Sequence, residues 1–159
     1  MSTLDEVGAA DSWRCWICDE PVDPDVSVND ARGPSIDSLT SKARAKTKAK
    51  AKGGGSVIGV ERLAHRACNS RKGANAPVIP WSPDLFVVEP APILEGVERL
   101  ARKGGRSVMA RCPSEADAAQ ATSWLADRVT RLAPEVALSA EFEPGGGQYL
   151  VWLSLRPHR

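Results

Sequence analysis

No run of about 18 to 20 apolar residues occurs anywhere in the chain, which argues against a membrane-spanning helix. Residues 1–12 hold neither a basic cluster nor an apolar segment, so no export signal is expected at the start. Cysteine is too sparse for a disulfide framework: four in 159 residues, two of them in Cys15-Trp-Ile-Cys18. Such a set suits a metal site in a reducing compartment better, and a soluble, cytoplasmic protein is the expectation. Histidine is scarcer still, with only His65 and His158. Aromatics make up 5%, leaving little material for stacking on nucleobases. What is present, 42% hydrophobic against 26% charged residues, fits a folded globular chain rather than a disordered one.

The net charge of +1 conceals a segregation. Residues 1–40 carry nine acids and two bases, residues 41–75 ten bases and one acid, and residues 76–159 nine bases and ten acids. The middle stretch is a concentrated cation, and local potential is what steers a polyanion. Residues 42–52 alternate Lys42, Arg44, Lys46, Lys48, Lys50 and Lys52 with Ala or Thr before Gly53-Gly54-Gly55. Like charges repel and nothing there can be buried, so a mobile loop is expected. It is either a phosphate-contacting segment or a solvated tether. It has no aromatics or fixed arginine pattern to read bases, so any contact would be to phosphate.

Residues 1–12 show no periodicity and are expected to be a flexible end. Turn residues dominate 23–34, around a short strand expected at 25–28. Composition compatible with a helix returns at 62–74, with Gly73 as its cap. Five prolines between Pro77 and Pro92 mark a junction at 76–92, with a short strand expected at 85–88. Beyond it, Ile93, Val97 and Leu100 recur at helical spacing up to Gly104-Gly105, and a strand is expected at 108–111. Ser114 to Asp117 looks like a capping box opening a helix through Ala118, Ala121, Leu125, Val129 and Leu132. Val136, Leu138, Ala140 and Phe142 alternate, Gly145-Gly146-Gly147 turns the chain, and 149–155 forms a second strand. Residues 93–159 are thus expected to be a small α+β domain ending in a hairpin. Cys112 falls in its first strand as a buried residue.

Cys15-x2-Cys18 alone is weak, since redox motifs share it. His65-Arg66-Ala67-Cys68 strengthens it by placing a nitrogen and a sulfur three residues apart at the start of a helix, where such positions share a face. Cys15, Cys18, His65 and Cys68 then supply the four ligands of a tetrahedral Zn2+. With every position filled by protein, that zinc would be structural.

The stretch Leu63-Ala-His-Arg-Ala-Cys-Asn-Ser-Arg-Lys-Gly73, with Cys15-x2-Cys18 upstream and Ser35-Ile36-Asp37 between, resembles the zinc-containing branch of the HNH endonuclease superfamily over residues 13–75. The resemblance implies a ββα-metal fold, a hairpin and a helix around zinc, followed here by the α+β domain. It further implies a divalent-metal-dependent DNA endonuclease, with Asp37 and Asn69 holding a catalytic Mg2+ or Mn2+. The family's base histidine would directly follow Asp37, and this chain has Ser38 there; its middle Asn is replaced by Val60. His65 is committed to zinc, and losing a positioned base costs about 100-fold to 10,000-fold in rate. Asp37-Ser38 also reads as an ordinary turn pair. The lysine run falls in the family's substrate-facing loop, and Arg62, Arg66, Arg71 and Lys72 on the adjoining helix are expected to extend the phosphate contact. Three readings follow: a divalent-metal endonuclease or weakened relative that binds DNA, an inert HNH-derived zinc module binding DNA non-specifically, or a zinc-folded adaptor whose C-terminal domain meets a protein partner.

Overall fold

A computed structural model describes residues 2–39 and 58–156, and the lysine run at 42–52 lies outside them. The architecture is α+β, with helices and two small antiparallel sheets divided between two units, Met1–Pro77 and Val78–Arg159.

In the first unit, the segment expected to be flexible instead forms helix α1, Leu4–Ala10. Thr3 Oγ1 accepts from the Glu6 N–H, and the Glu6 carboxylate accepts from the Thr3 N–H, a capping box that satisfies the first turn. Val7 is buried, and α1 packs on both strands of the unit. Ser12 and Trp13 follow with left-handed backbone (φ 54° and 53°), reversing the chain into the Cys15 loop. Residues 25–28, expected as a strand, are turns closed by Asp23 and Ser27, with Val28 exposed.

Strand β1, Pro34–Ser38, pairs antiparallel with β2, Glu61–His65, so that Ile36 faces Leu63 and Asp37 faces Arg62. Residues 62–65 fall in the stretch whose composition is compatible with helix, yet pairing with β1 makes them a strand; helix α2 is confined to Arg66–Lys72. Its first two N–H groups donate to the carbonyls of Gly33 and Ala31, and Gly73 ends it at φ 58°. A hairpin and a helix thus converge beside the Cys15–Glu20 loop, which joins β2 through the Trp16 N–H on the Leu63 carbonyl.

In the second unit, the three-stranded sheet has the order β3-β5-β4, from β3 (Arg106–Cys112), β4 (Leu138–Gly145) and β5 (Gln148–Leu155). Helices α3, Ile93–Lys103, and α4, Glu115–Leu132, pack on it. Each buries the stripe read from its periodicity: Ile93, Val97 and Leu100 on α3, and Ala118, Ala121, Leu125, Val129 and Leu132 on α4. Ser114 caps α4 by accepting from the Asp117 N–H. Gly96 lets α3 approach β3, since a Cβ there would lie 2.9 Å from the Met109 methyl. Cys112 is fully buried, as expected of a strand residue.

The expected junction at 76–92 largely belongs to this unit. Ile79 is buried, Trp81 stacks on Trp124 at 5.4 Å, and the Trp81 indole donates to the Ala91 carbonyl. Of the strand expected at 85–88, only Val88 pairs, exchanging both backbone hydrogen bonds with Arg111. The prolines exclude a longer ladder but not packing of the apolar residues between them. Among the described residues no helix is long and apolar enough to cross a membrane.

Candidate metal centre

Three local structures deliver the four ligands. The Cys15 N–H donates to the Glu20 carbonyl and the Asp19 N–H to the Cys15 carbonyl, curling the chain so that Cys15 and Cys18 face one point. His65 ends β2, and Cys68 sits one turn later on α2. The three sulfurs and one imidazole nitrogen all lie within 4.8 Å of one another. His65 Nδ1 is 3.3 Å from Cys18 Sγ and 3.9 Å from Cys68 Sγ. A tetrahedral zinc with bonds of about 2.3 Å to sulfur and about 2.0 Å to nitrogen would space its ligands roughly 3.5 to 3.8 Å apart. The cluster matches that within about 1 Å and could hold a metal ion.

The imidazole is oriented for it. His65 Nε2 lies 2.9 Å from the Pro21 carbonyl, which can only accept, so that nitrogen carries the proton. The lone pair then sits on Nδ1, facing the sulfurs, as outer hydrogen bonds arrange in metal sites. Cys15 and His65 are buried, while Cys18 and Cys68 are partly exposed. The hydrogen bond with Cys18 lowers the Cys15 thiol to about 4. The same contact pushes Cys18 up, and burial together with the Cys15 charge pushes Cys68 up. Three sulfurs so close hold one negative charge between them; a divalent cation would let all three ionise.

Beside this centre lies a second cluster, which sequence reasoning assigned differently. Asp37, expected as a cation ligand, accepts from the Trp16 indole N–H at 3.0 Å and pairs with Lys72 at 3.4 Å, the Lys72 and Asp37 side chains being 4% and 3% exposed. Asn69, its expected co-ligand, donates to Ser35 Oγ at 2.9 Å and to the Ile36 carbonyl at 3.4 Å, tying α2 to β1. The carboxylate is thus already neutralised, and the amide is used as a strand anchor. Ser38 follows on β1, and its hydroxyl cannot replace an imidazole.

Of the four bases expected at phosphate beside the lysine run, two are spent internally. Arg62 is buried, held by Asp11 at 2.9 Å and by the Ile58 carbonyl at 2.7 Å, with its guanidinium 5.6 Å from the centre of the Trp16 ring. The Lys72 side chain is buried against Asp37. Arg66 and Arg71 remain exposed on α2. Asp11 was missed because it lies in the stretch expected to be flexible; its signal was the capping box three residues into the chain, which starts the helix that Asp11 ends. Trp16 could have been noticed as the large apolar residue between two ligand cysteines. No family model, no curated protein and no solved structure matches the chain.

Proposed function

We propose that the N-terminal unit is a zinc-folded module of the HNH type that binds the backbone of nucleic acid without cleaving it. The observation that carries this reading is the convergence of Cys15, Cys18, His65 and Cys68 beside a hairpin and a helix. Zn2+ is the ion this donor set suits, since thiolate and imidazole exclude the hard cations, and four protein ligands leave it no open position for chemistry. The nearby carboxylate and amide are engaged with Lys72, Trp16 and Ser35, which speaks against a second, catalytic ion. The eight bases of residues 41–75 other than Arg62 and Lys72, among them Arg66 and Arg71 exposed on α2, supply the attraction to phosphate.

Duplex DNA should bind with little sequence preference, its affinity falling with salt at a slope of about −0.9 per phosphate contact. Replacing Arg66 and Arg71 with Ala should flatten that slope by up to about two units, and neutralising Lys42, Lys46, Lys48, Lys50 and Lys52 by up to about four. Fluorescence anisotropy at several salt concentrations checks both, and a nicking assay with Mg2+ or Mn2+ should show no cleavage. Nicking that disappears in Asp37→Ala would restore the endonuclease reading. If DNA affinity ignores both sets of substitutions, the adaptor reading takes over, with exposed Val78 and Phe86 of the second unit as its first candidate contacts.

A further inference from the structure

Asp37, the carboxylate that would hold a divalent cation, lies next to an ammonium with a second oxygen partner, and Asn69, the amide that would join it, is hydrogen-bonded to Ser35 and the Ile36 carbonyl. Lys72 Nζ is 3.4 Å from Asp37 Oδ1 and donates to the Gly73 carbonyl at 2.9 Å. The other carboxylate oxygen accepts from the Trp16 indole at 3.0 Å. Both charged side chains are almost wholly buried. Mg2+ or Mn2+ needs an octahedral shell of oxygens and keeps several waters. To enter here it would have to displace a buried ammonium, and a buried charge stripped of its partner is strongly unfavourable.

We propose that Lys72 is the resident cation of the Asp37 pocket, occupying the position a divalent ion would need, so that the module excludes Mg2+ and Mn2+ there. The inference rests on reading the N-terminal unit as an HNH-type module, because that reading is what makes Asp37 and Asn69 a cation pocket at all. The register explains how the exchange is built. Asp37 lies late in β1, and Lys72 ends α2 two turns after His65, where Gly73 stops the helix and offers its carbonyl. Trp16, which closes Asp37 with its indole, lies in the same loop as Cys15 and Cys18 and is held to β2 through its backbone N–H on the Leu63 carbonyl. Lys72 here is a positioning residue and touches no substrate.

The Trp16 indole N–H is an internal reporter, because a Mn2+ on Asp37 would sit within a few ångströms of it and erase its proton signal. In 15N spectra of the zinc-loaded full chain, that signal should persist through addition of equimolar Mn2+. Its disappearance at or below one equivalent overturns the proposal without any variant. Lys72→Met keeps the apolar stem and removes the charge. Folded Lys72→Met, judged by zinc content and far-UV circular dichroism, should bind one Mn2+ more than the unmodified chain by electron paramagnetic resonance. Lys72→Met combined with Asp37→Asn should lose it again. A folded Lys72→Met that gains no ion overturns the proposal equally, and if it does not fold, the Trp16 signal of the unmodified chain decides. Neither readout involves DNA, so failure of the salt titration would remove the HNH reading while leaving these results in place.

Discussion

Cys68→Ser should strip the N-terminal unit of its metal and unfold it while the second unit keeps its structure. The first unit owes its shape to elements too short to stand alone: two seven-residue helices and a hairpin of five-residue strands. Four side chains from the Cys15 loop, the end of β2 and the start of α2 meet at one point, where a bound ion would join three separate local structures. Structural zinc in small domains contributes on the order of 10 kcal/mol or more in apparent binding energy, well above what one ligand's loss leaves in reserve. The second unit has its own core under α3 and α4 and should retain its cooperative transition.

Metal analysis and thermal unfolding of the purified chain, followed by circular dichroism and by the Trp signal, check both halves; an intact first unit with no metal would refute it. Acid should act in the same direction. Without metal, Cys18 and Cys68 keep their protons through neutral pH because both are pushed up, whereas Cys15 is already ionised. Binding then releases protons from Cys18 and Cys68, and apparent metal affinity should fall as pH is lowered from neutrality.

Asp11→Ala should destabilise the first unit by about 3 to 5 kcal/mol, the usual cost of breaking a buried pair and leaving its partner charged. Asp11 receives the Arg62 guanidinium at 2.9 and 3.1 Å and the Leu63 N–H at 2.7 Å, with the Arg62 and Asp11 side chains 6% and 10% exposed. Removing the carboxylate strands a cation beneath α1 and frees a strand N–H at once. Asp11→Asn keeps the acceptor for Leu63 and should lose less. Asp11→Ala with Arg62→Met should recover part of the loss, since an apolar pair of similar volume requires no compensating charge. Urea unfolding of the metal-loaded chain measures all three; a loss below about 1 kcal/mol for Asp11→Ala would mean the pair is only a surface contact.

The candidate metal cluster was legible because cysteine and histidine spacing says much about ligand geometry: two residues between Cys15 and Cys18 make a loop, and two between His65 and Cys68 carry the chain from the end of β2 into the first turn of α2. The second unit was legible for a different reason. Its helices are long enough for apolar spacing to repeat, and Gly145-Gly146-Gly147 marks the hairpin turn. What escaped was short or relational. α1 has seven residues and two buried positions, too few to show a period. The β2 strand reads Glu-Arg-Leu-Ala-His, whose composition also suits a helix, and only pairing with β1 decides it. Arg62 and Lys72 look like surface cations because burial of a charge depends on a distant partner, Asp11 in one case and Asp37 in the other. A basic run raises the expectation of phosphate contact for every base in it, yet the fold withdraws two before any ligand arrives.

The order β3-β5-β4 leaves β4 at the rim of its sheet, where an open row of peptide groups could recruit a strand from a neighbouring molecule. That strand reads Leu-Ser-Ala-Glu-Phe-Glu-Pro-Gly, with Glu141, Glu143 and Pro144 exposed in succession around Phe142. Proline offers no N–H to an incoming chain, and the exposed Glu141 carboxylate would repel its counterpart on another molecule. The hairpin can therefore keep a half-buried aromatic at its margin without seeding strand-by-strand growth between molecules, a safeguard against self-association written into the exposed positions around Phe142.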